Sequence, residues 1–245
     1  MNIINPKIFK TNRVGAGFTL SNRDVVNVDG EIAGLNLGYN TGVDHQEIEN
    51  NLNLLVSELG IARETLAMAK QVHGKNITFV TKGGIYPDTD ALITDQPEVT
   101  LGIRVADCAA ILLADTENSI IAAVHAGWRG AALGILLDVV RKMKSKGVNA
   151  STLSAYISPC LSKDVFEVGD EVAEQFPSEF VDYNSYSKPH LNLKGFLYHQ
   201  LLENGVPKIN IKIDEGCTLS DNRFYSYRRE RDKAGRMLGF IRLKS

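Results

Sequence analysis

Three segments of the chain carry apolar residues at the three-to-four-residue spacing of an amphipathic helix. The first runs from Asp44, whose carboxylate can cap a helix, to Gly60, which can end one. Its apolar face is formed by Ile48, Leu52, Leu55 and Leu59. The second is predicted over 131–146, with Leu133 on its apolar side, and the third follows Asn192. The pattern thus predicts three helices, each with one face toward a core, and a further helix is predicted to begin near Asp164.

Short runs of apolar and β-branched residues separate these helices and predict β-strands. The runs are 71–73, 77–80, 100–105, 111–114, 120–125, 153–157, 208–213, 224–227 and 238–243. Their irregular order among the helices favours an α+β fold over regular βαβ winding. The chain has no repeat, low-complexity tract or linker rich in Gly, Pro or Ser, so we predict a single domain over residues 1–245.

Composition and charge narrow the class of protein. Lys and Arg number 27 against 29 Asp and Glu, so the chain lacks the basic surplus of a nucleic-acid-binding protein. The longest apolar stretch, 108–114, is too short to cross a membrane, and the first ten residues lack the apolar run of a secretory signal. Three cysteines without a C-x-x-C spacing fit reduced thiols. We therefore expect a cytoplasmic protein with neither nucleic acid nor membrane as partner.

The candidate chemistry lies in two of the five histidines and one cysteine. His73 and His125 each end a predicted strand and are followed by a glycine-containing turn, and Cys108 lies between two predicted strands. Loops at strand ends commonly present reactive side chains to a cleft. Taken singly, each of the three is more often structural, and their spacing matches no zinc-finger pattern. The remaining histidines, His45, His190 and His199, are interpreted as solvated or packed residues.

Several motifs occur in an order that resembles a known family. They are 70–74, 90–94, 106–115, 124–130, 158–160, 166–169, 224–229 and 235–237. The most specific are Ala-Asp-Cys at 106–108 and His-Ala-Gly-Trp-Arg-Gly at 125–130. From about Gly34 onward the chain resembles the family once labelled laccase-domain or polyphenol oxidase proteins, now associated with purine nucleoside phosphorylase activity.

The resemblance implies a fold, a cofactor and substrates. The implied fold is a four-layer α/β/β/α sandwich with mixed sheets, and the implied cofactor is one Zn²⁺ held by His73, Cys108 and His125. Adventitious Cu²⁺ in the same site is compatible with these residues. The implied reactions are phosphorolysis of adenosine, inosine and S-methyl-5′-thioadenosine and, as a second activity, deamination of adenosine. A purine nucleoside and phosphate are then the expected partners; protein partners stay unknown.

Catalytic roles are expected for Asp107, Cys108 and His125. Two imidazoles and one thiolate leave a coordination position of zinc open, as in catalytic sites, and zinc there can acidify a water for deamination. Asp107, next to Cys108, is a candidate proton carrier or base-recognition group. The alternative reading of Asp107, that it only hydrogen-bonds a turn, stays equally open.

Substrate contacts are expected from Asn36, Gln71, Arg129 and Arg228. Arg129 and the amides at 127–130 precede the second predicted helix, whose N-terminus favours an anion. Arg228 is a further phosphate candidate, since a guanidinium fork suits phosphate oxygens. Asn36 is equally compatible with a turn between glycines, and the arginines at 228–229 with ion pairs to Glu230 and its neighbours.

One departure from the family pattern concerns phosphate. Leu20 and Ser21 stand where the family usually has Thr-Arg, and neither Arg13 nor Arg23 aligns with the missing arginine. Two functions therefore compete with the nucleoside phosphorylase: a metal-independent cysteine hydrolase using Cys108 and His125, and a non-catalytic nucleoside-binding protein. Copper oxidation of phenols is disfavoured, because five scattered histidines cannot build several copper centres.

Overall fold

The computed structural model describes residues 1–9, 13–39, 42–115, 117 and 119–244. Its strands are β1 Ile3–Ile4, β2 Val14–Thr19, β3 Leu66–Ala69, β4 Ile77–Phe79, β5 Gly84–Tyr86, β6 Ala91–Thr94, β7 Thr100–Val105, β8 Ala109–Asp115, β9 Ile120–Ala126, β10 Ser154–Ile157, β11 Val181–Asp182, β12 His190–Leu191, β13 Ile211–Ile213 and β14 Met237–Leu243. Its helices are α1 His45–Leu59, α2 Trp128–Ala132, α3 Ile135–Lys144, α4 Asp170–Ala173, α5 Leu193–Glu203 and α6 Tyr227–Glu230. No helix in these ranges combines the length and the apolar character that crossing a bilayer requires.

Two mixed six-stranded sheets form the centre of the molecule. The first has the order β1-β2-β14-β7-β3-β5, and the second has the order β13-β10-β8-β9-β6-β4. Helix α1 packs on the first sheet, and α3 and α5 pack on the second. The four-layer α/β/β/α sandwich that the resemblance implied is therefore confirmed.

Strand β8 shows why both faces of the second sheet are apolar. Ala110, Leu112 and Ala114 belong to the core between the sheets, whereas Ile111 and Leu113 belong to the core beneath the helices. Successive side chains of a strand point to opposite faces, so a strand covered on both sides must be apolar throughout. The continuous apolar run at 108–114 has this cause.

Helix α1 begins and ends where the sequence predicts. The Asp44 side chain accepts a hydrogen bond from the Gln46 amide at 3.0 Å, and Gly60 adopts the left-handed conformation with φ 60°. Ile48, Leu52 and Leu55 are fully buried against the first sheet. This helix was accessible to prediction because its caps and its apolar face are local in sequence.

The predicted helix over 131–146 is wrong as a single element. The segment divides into α2 and α3 at Gly134, whose φ of 78° no continuing helix can contain. Leu133, assigned to the apolar face, is 49 % exposed, and α3 buries Ile135 and Val139 in its place. The segments 71–73 and 224–227, predicted as strands, contain none; α6 begins at Tyr227.

Candidate metal centre and pocket

Three side chains from distant parts of the chain meet at the rim of the second sheet. His73 follows β3 in a loop, with φ 60°; Cys108 precedes β8; His125 lies in β9. Strands β8 and β9 pair with Ala110 opposite His125, which brings Cys108 opposite Gly127. One ligand atom of each side chain lies within 4.8 Å of the others, and the two imidazole rings lie 4.8 Å apart. The topology therefore assembles the cluster that sequence spacing alone could not reveal.

Gly127 leaves the space that this cluster occupies. A Cβ atom at position 127 would lie 2.8 Å from Cys108 Sγ and 3.4 Å from the His73 ring. Bonds of about 2.0–2.3 Å to a tetrahedral zinc ion place ligand atoms roughly 3.3–3.8 Å apart, so shifts of less than about 1 Å per side chain would close the cluster. The donor set of two imidazoles and one thiolate and the open space at Gly127 fit a bound metal ion.

Asp90 orders this centre and was missed as a functional residue. Its fully buried carboxylate accepts hydrogen bonds from the amides of His73 at 2.9 Å and Gly74 at 2.8 Å. It also accepts from His125 Nδ1 at 2.8 Å, which leaves Nε2 of that ring as the ligand atom. Burial raises the pKa of Asp90, but the bonds from His125 and the amides outweigh burial and hold the pKa below its usual range.

Cys108 and His125 form a charged pair. Burial alone would raise the pKa of the Cys108 thiol, but the charge of His125 and hydrogen bonds from both histidines lower it to about 6. Burial would lower the pKa of His125, whereas the thiolate and Asp90 raise it to about 9. The sulfur is therefore a thiolate at neutral pH, the form that binds metals.

A pocket of about 900 Å³ opens over the cluster. Five cationic side chains line it, against the two carboxylates Glu49 and Asp107; the cations are Lys70, Arg104, Arg228, Arg231 and Arg236. His45, interpreted from sequence as a solvated residue, also lines this pocket and packs edge-on against Tyr39. The described lining is therefore predominantly positive and suits an anionic ligand.

Asp107, Gln71 and Arg228 reach the pocket. Asp107 accepts from Thr218 Oγ1 at 2.7 Å and from the Arg228 amide at 2.6 Å, which ties it to a turn while one edge lines the pocket. The Gln71 side chain donates to the Arg104 carbonyl at 2.7 Å and accepts from its amide at 3.0 Å. Arg228 donates to the Glu167 carbonyl at 2.8 Å.

Arg129 and Asn36 lie outside the pocket lining. Arg129 is exposed, with its guanidinium 5.0 Å from the ring centre of Trp128, which itself lines the pocket. Asn36 is fully buried, and its Oδ1 accepts from the amides of Gly38 and Arg236, both at 3.0 Å. In this structure Asn36 fixes the backbone at Gly38 and Arg236.

The other arginines considered for phosphate are engaged elsewhere. Arg229 pairs with Glu230 at 2.5 Å and donates to three backbone carbonyls. Arg229 therefore forms the ion pair that the sequence offered as the alternative to phosphate binding. Arg23 also pairs with Glu230, at 2.6 Å, and lines a separate, smaller pocket. Arg23 therefore does not replace the arginine absent near Leu20.

Comparison with known proteins identifies the family. Residues 16–244 match the family described as multi-copper polyphenol oxidoreductase laccase. The chain belongs to this family. Within the laccase-like family, it is similar to a purine nucleoside phosphorylase of Corynebacterium glutamicum, 32 % identical over 85 % of this chain and 87 % of that protein. It is also similar to an adenosine deaminase from an unknown prokaryotic organism, 30 % identical over 85 % of this chain and 87 % of that protein.

A solved relative carries the same fold. The crystal structure of YlmD from Geobacillus stearothermophilus superposes with a TM-score of 0.88 and 29 % identity over 96 % of this chain and 93 % of that chain. Nearly the whole chain thus follows the laccase-like fold.

Proposed function

We propose that the protein is a zinc-dependent purine nucleoside phosphorylase. Its proposed substrates are adenosine, inosine and S-methyl-5′-thioadenosine, and deamination of adenosine is its proposed side activity. The observation that carries the proposal is the His73–Cys108–His125 cluster in a cation-lined pocket. Relatives about 30 % identical over most of the chain are named as nucleoside phosphorylases and as a deaminase, which supports both reactions.

The ligand set favours zinc over several coppers. One group of three metal-ligating side chains forms among the described residues, and a multicopper oxidase needs several imidazole-rich centres that five histidines cannot supply. When bound, zinc supplies Lewis acidity that polarises a substrate or water atom in its open position. We propose a cytoplasmic location, since the three cysteines are free and Cys108 must stay reduced to bind.

In phosphorolysis a phosphate oxygen bonds to C1′ of the ribose while the C1′–N9 bond breaks. The bonding pair leaves with the purine, which takes up a proton, and ribose 1-phosphate remains. The cationic wall of the pocket holds phosphate and lowers its repulsion from other anionic groups. Asp107, whose two oxygens already accept from Thr218 and Arg228, keeps lone pairs that can accept an N–H of the purine.

The proposed residue roles follow from position. Cys108 and His125 are proposed as metal ligands with His73, and Asp107 as the group that orients the purine. Arg228 is proposed to contact substrate at the pocket wall.

A cysteine hydrolase is the second candidate, and one observation favours it. The Cys108 thiolate and the protonated His125 form the ion pair that cysteine nucleophiles use. This mechanism needs no metal. Chelation therefore separates the two candidates.

The test measures release of free base from inosine and adenosine, with and without phosphate. Zinc-loaded protein is expected to release base and ribose 1-phosphate only when phosphate is present, and chelated protein to release none. Activity that survives complete removal of zinc would overturn the metal mechanism. If neither inosine nor adenosine is turned over by zinc-loaded protein, the protein is instead a non-catalytic nucleoside-binding protein.

A further inference from the structure

Two arginines line the pocket from neighbouring places in the first sheet, Arg104 in β7 and Arg236 directly before β14. Arg104 lies in β7, where it pairs with Leu238 of the antiparallel strand β14. Arg236 lies two residues before Leu238, so it shares the face of the sheet on which Arg104 projects. The two residues are therefore diagonal cross-strand neighbours, and both line the pocket.

Neither guanidinium has a carboxylate partner. The ion pairs among the described residues include neither Arg104 nor Arg236. Arg104 donates to the Ala69 carbonyl at 3.0 Å, and Arg236 donates to the carbonyls of Ala234 at 2.5 Å and Gly235 at 3.0 Å. A guanidinium has five donors, so these bonds leave donors of both residues available to a ligand.

The positive charges of Arg104 and Arg236 repel each other, and both side chains are partly buried. Burial lowers the pKa of Arg104, and the charge of Arg236 lowers it further, although Tyr39 acts in the opposite direction. Burial also lowers the pKa of Arg236, although the charges of Cys108 and Asp107 act in the opposite direction. Two close cations withdrawn from water are unfavourable unless an anion compensates them.

Neither carboxylate of the pocket forms an ion pair with Arg104 or Arg236. Glu49 accepts from Tyr39 and from Arg63, the latter at 3.3 Å. Asp107 is held by Thr218 and by the Arg228 amide. The charges of Cys108 and Asp107 offset part of the burial of Arg236, and an exogenous anion can add hydrogen bonds to the remaining donors of both guanidinium groups.

The backbones of the two arginines are fixed in advance by two side-chain amides. Gln71 makes a two-way hydrogen bond with the backbone of Arg104, at 2.7 and 3.0 Å. Asn36 accepts the amide of Arg236 at 3.0 Å. Such preorganisation lowers the entropy lost when a ligand binds.

We propose that Arg104 and Arg236 form the phosphate subsite of the pocket and that Gln71 and Asn36 are positioning residues for them. The bound species is inorganic phosphate, held between the two guanidinium forks. This assignment rests on the proposed function, because phosphate is the co-substrate of phosphorolysis.

The direct test is phosphate binding to zinc-loaded protein in the absence of nucleoside. Titration calorimetry would compare wild type with Arg104→Gln and Arg236→Gln, using chloride buffer of constant ionic strength. The matched control is Arg141→Gln, an exposed arginine on α3 that pairs with Asp138. Phosphate affinity is expected to fall at least tenfold in each pocket variant and to stay unchanged in the control.

Phosphate affinity within twofold of wild type in both pocket variants would overturn the subsite, as would phosphate held by the zinc ion alone. If a Gln variant fails to fold, Arg104→Lys and Arg236→Lys take its place, because lysine keeps the positive charge but lacks the forked guanidinium group. Each Lys variant is expected to lower phosphate affinity several-fold. Wild-type protein that binds adenosine monophosphate but no inorganic phosphate would also contradict the proposal.

Kinetics distinguish a failed subsite from a failed function. The pocket variants are expected to raise the phosphate KM at least tenfold while the inosine KM changes less than threefold. Phosphate-dependent base release with an unchanged phosphate KM would reject the subsite and retain the proposed function. Loss of phosphate binding in the variants of a protein that turns over no nucleoside would reject the function and retain the subsite.

Discussion

Replacing Asp90 by Asn tests how strongly the hydrogen bonds of its carboxylate to His125 and to the loop at 72–74 support the metal centre. The two carboxylate oxygens face only donors: Oδ1 faces the His73 amide and His125 Nδ1, and Oδ2 faces the amides of Val72 and Gly74. Asparagine has a single acceptor oxygen, and its NH₂ group must face one pair of these donors. Either way, two N–H groups that are at least partly buried lose their acceptor.

The magnitude follows from the contacts. Two unsatisfied donors at about 1–3 kcal/mol each predict a loss of roughly 2–6 kcal/mol in the free energy of unfolding. For a chain of this size the lower figure corresponds to a fall in melting temperature of about 4–8 °C. Loss of the partner that orients a metal-binding histidine typically weakens metal binding about 10–100-fold.

The assay is competition for zinc between the folded variant and a chromophoric chelator, with melting followed by circular dichroism. Asp95→Asn is the matched control, since Asp95 is exposed and follows the opposite end of β6. We expect zinc affinity to fall at least tenfold in Asp90→Asn and to stay unchanged in Asp95→Asn. A folded Asp90→Asn protein with a zinc dissociation constant within twofold of wild type would refute the reasoning.

Three further predictions concern single positions. Gly127→Ala places a Cβ 2.8 Å from Cys108 Sγ, so zinc content is expected to fall by more than half with the fold intact. Metal analysis measures the zinc content and circular dichroism checks the fold. A variant with full zinc content would contradict this prediction. Gly134→Ala forces a non-glycine residue to φ 78°, with its Cβ in ordinary van der Waals contact with Leu137 at 3.5 Å. The free energy of unfolding is therefore expected to fall by about 1–2 kcal/mol in urea titration without loss of activity. Unchanged stability would argue against a strained break between α2 and α3. Arg129→Gln is expected to change the phosphate KM less than twofold, because Arg129 is exposed beside Trp128; a tenfold rise would restore the role that its place before α2 suggested.

The sequence predicts elements whose signals are local. Helix α1 carries its cap, its apolar face and its terminal glycine within 17 residues, and β7 was predicted with its observed bounds. The break at Gly134 was missed because one glycine inside an apolar pattern is compatible with a continuing helix. The loop at 71–73 was mistaken for a strand because its amides bond to Asp90 rather than to a neighbouring strand.

The site residues, too, divide into those that a local sequence signal marks and those that only the tertiary structure brings together. His73, Cys108 and His125 were found through family motifs, not through spacing, since pairing of β8 with β9 and the loop after β3 bring them together. Arg104 could have been predicted as a functional residue, because it is the one charged residue in the apolar strand Thr100–Val105. A charge in a buried strand needs a partner, and here the sequence could not show where that partner lies.

The most direct test of the account is anomalous diffraction from a crystal of zinc-loaded protein, recorded above and below the zinc absorption edge. One peak is expected at the centre of the triangle formed by His73, Cys108 and His125, present above the edge and absent below it. A zinc-loaded crystal with no peak there, or with its only peak at another site, would contradict the account.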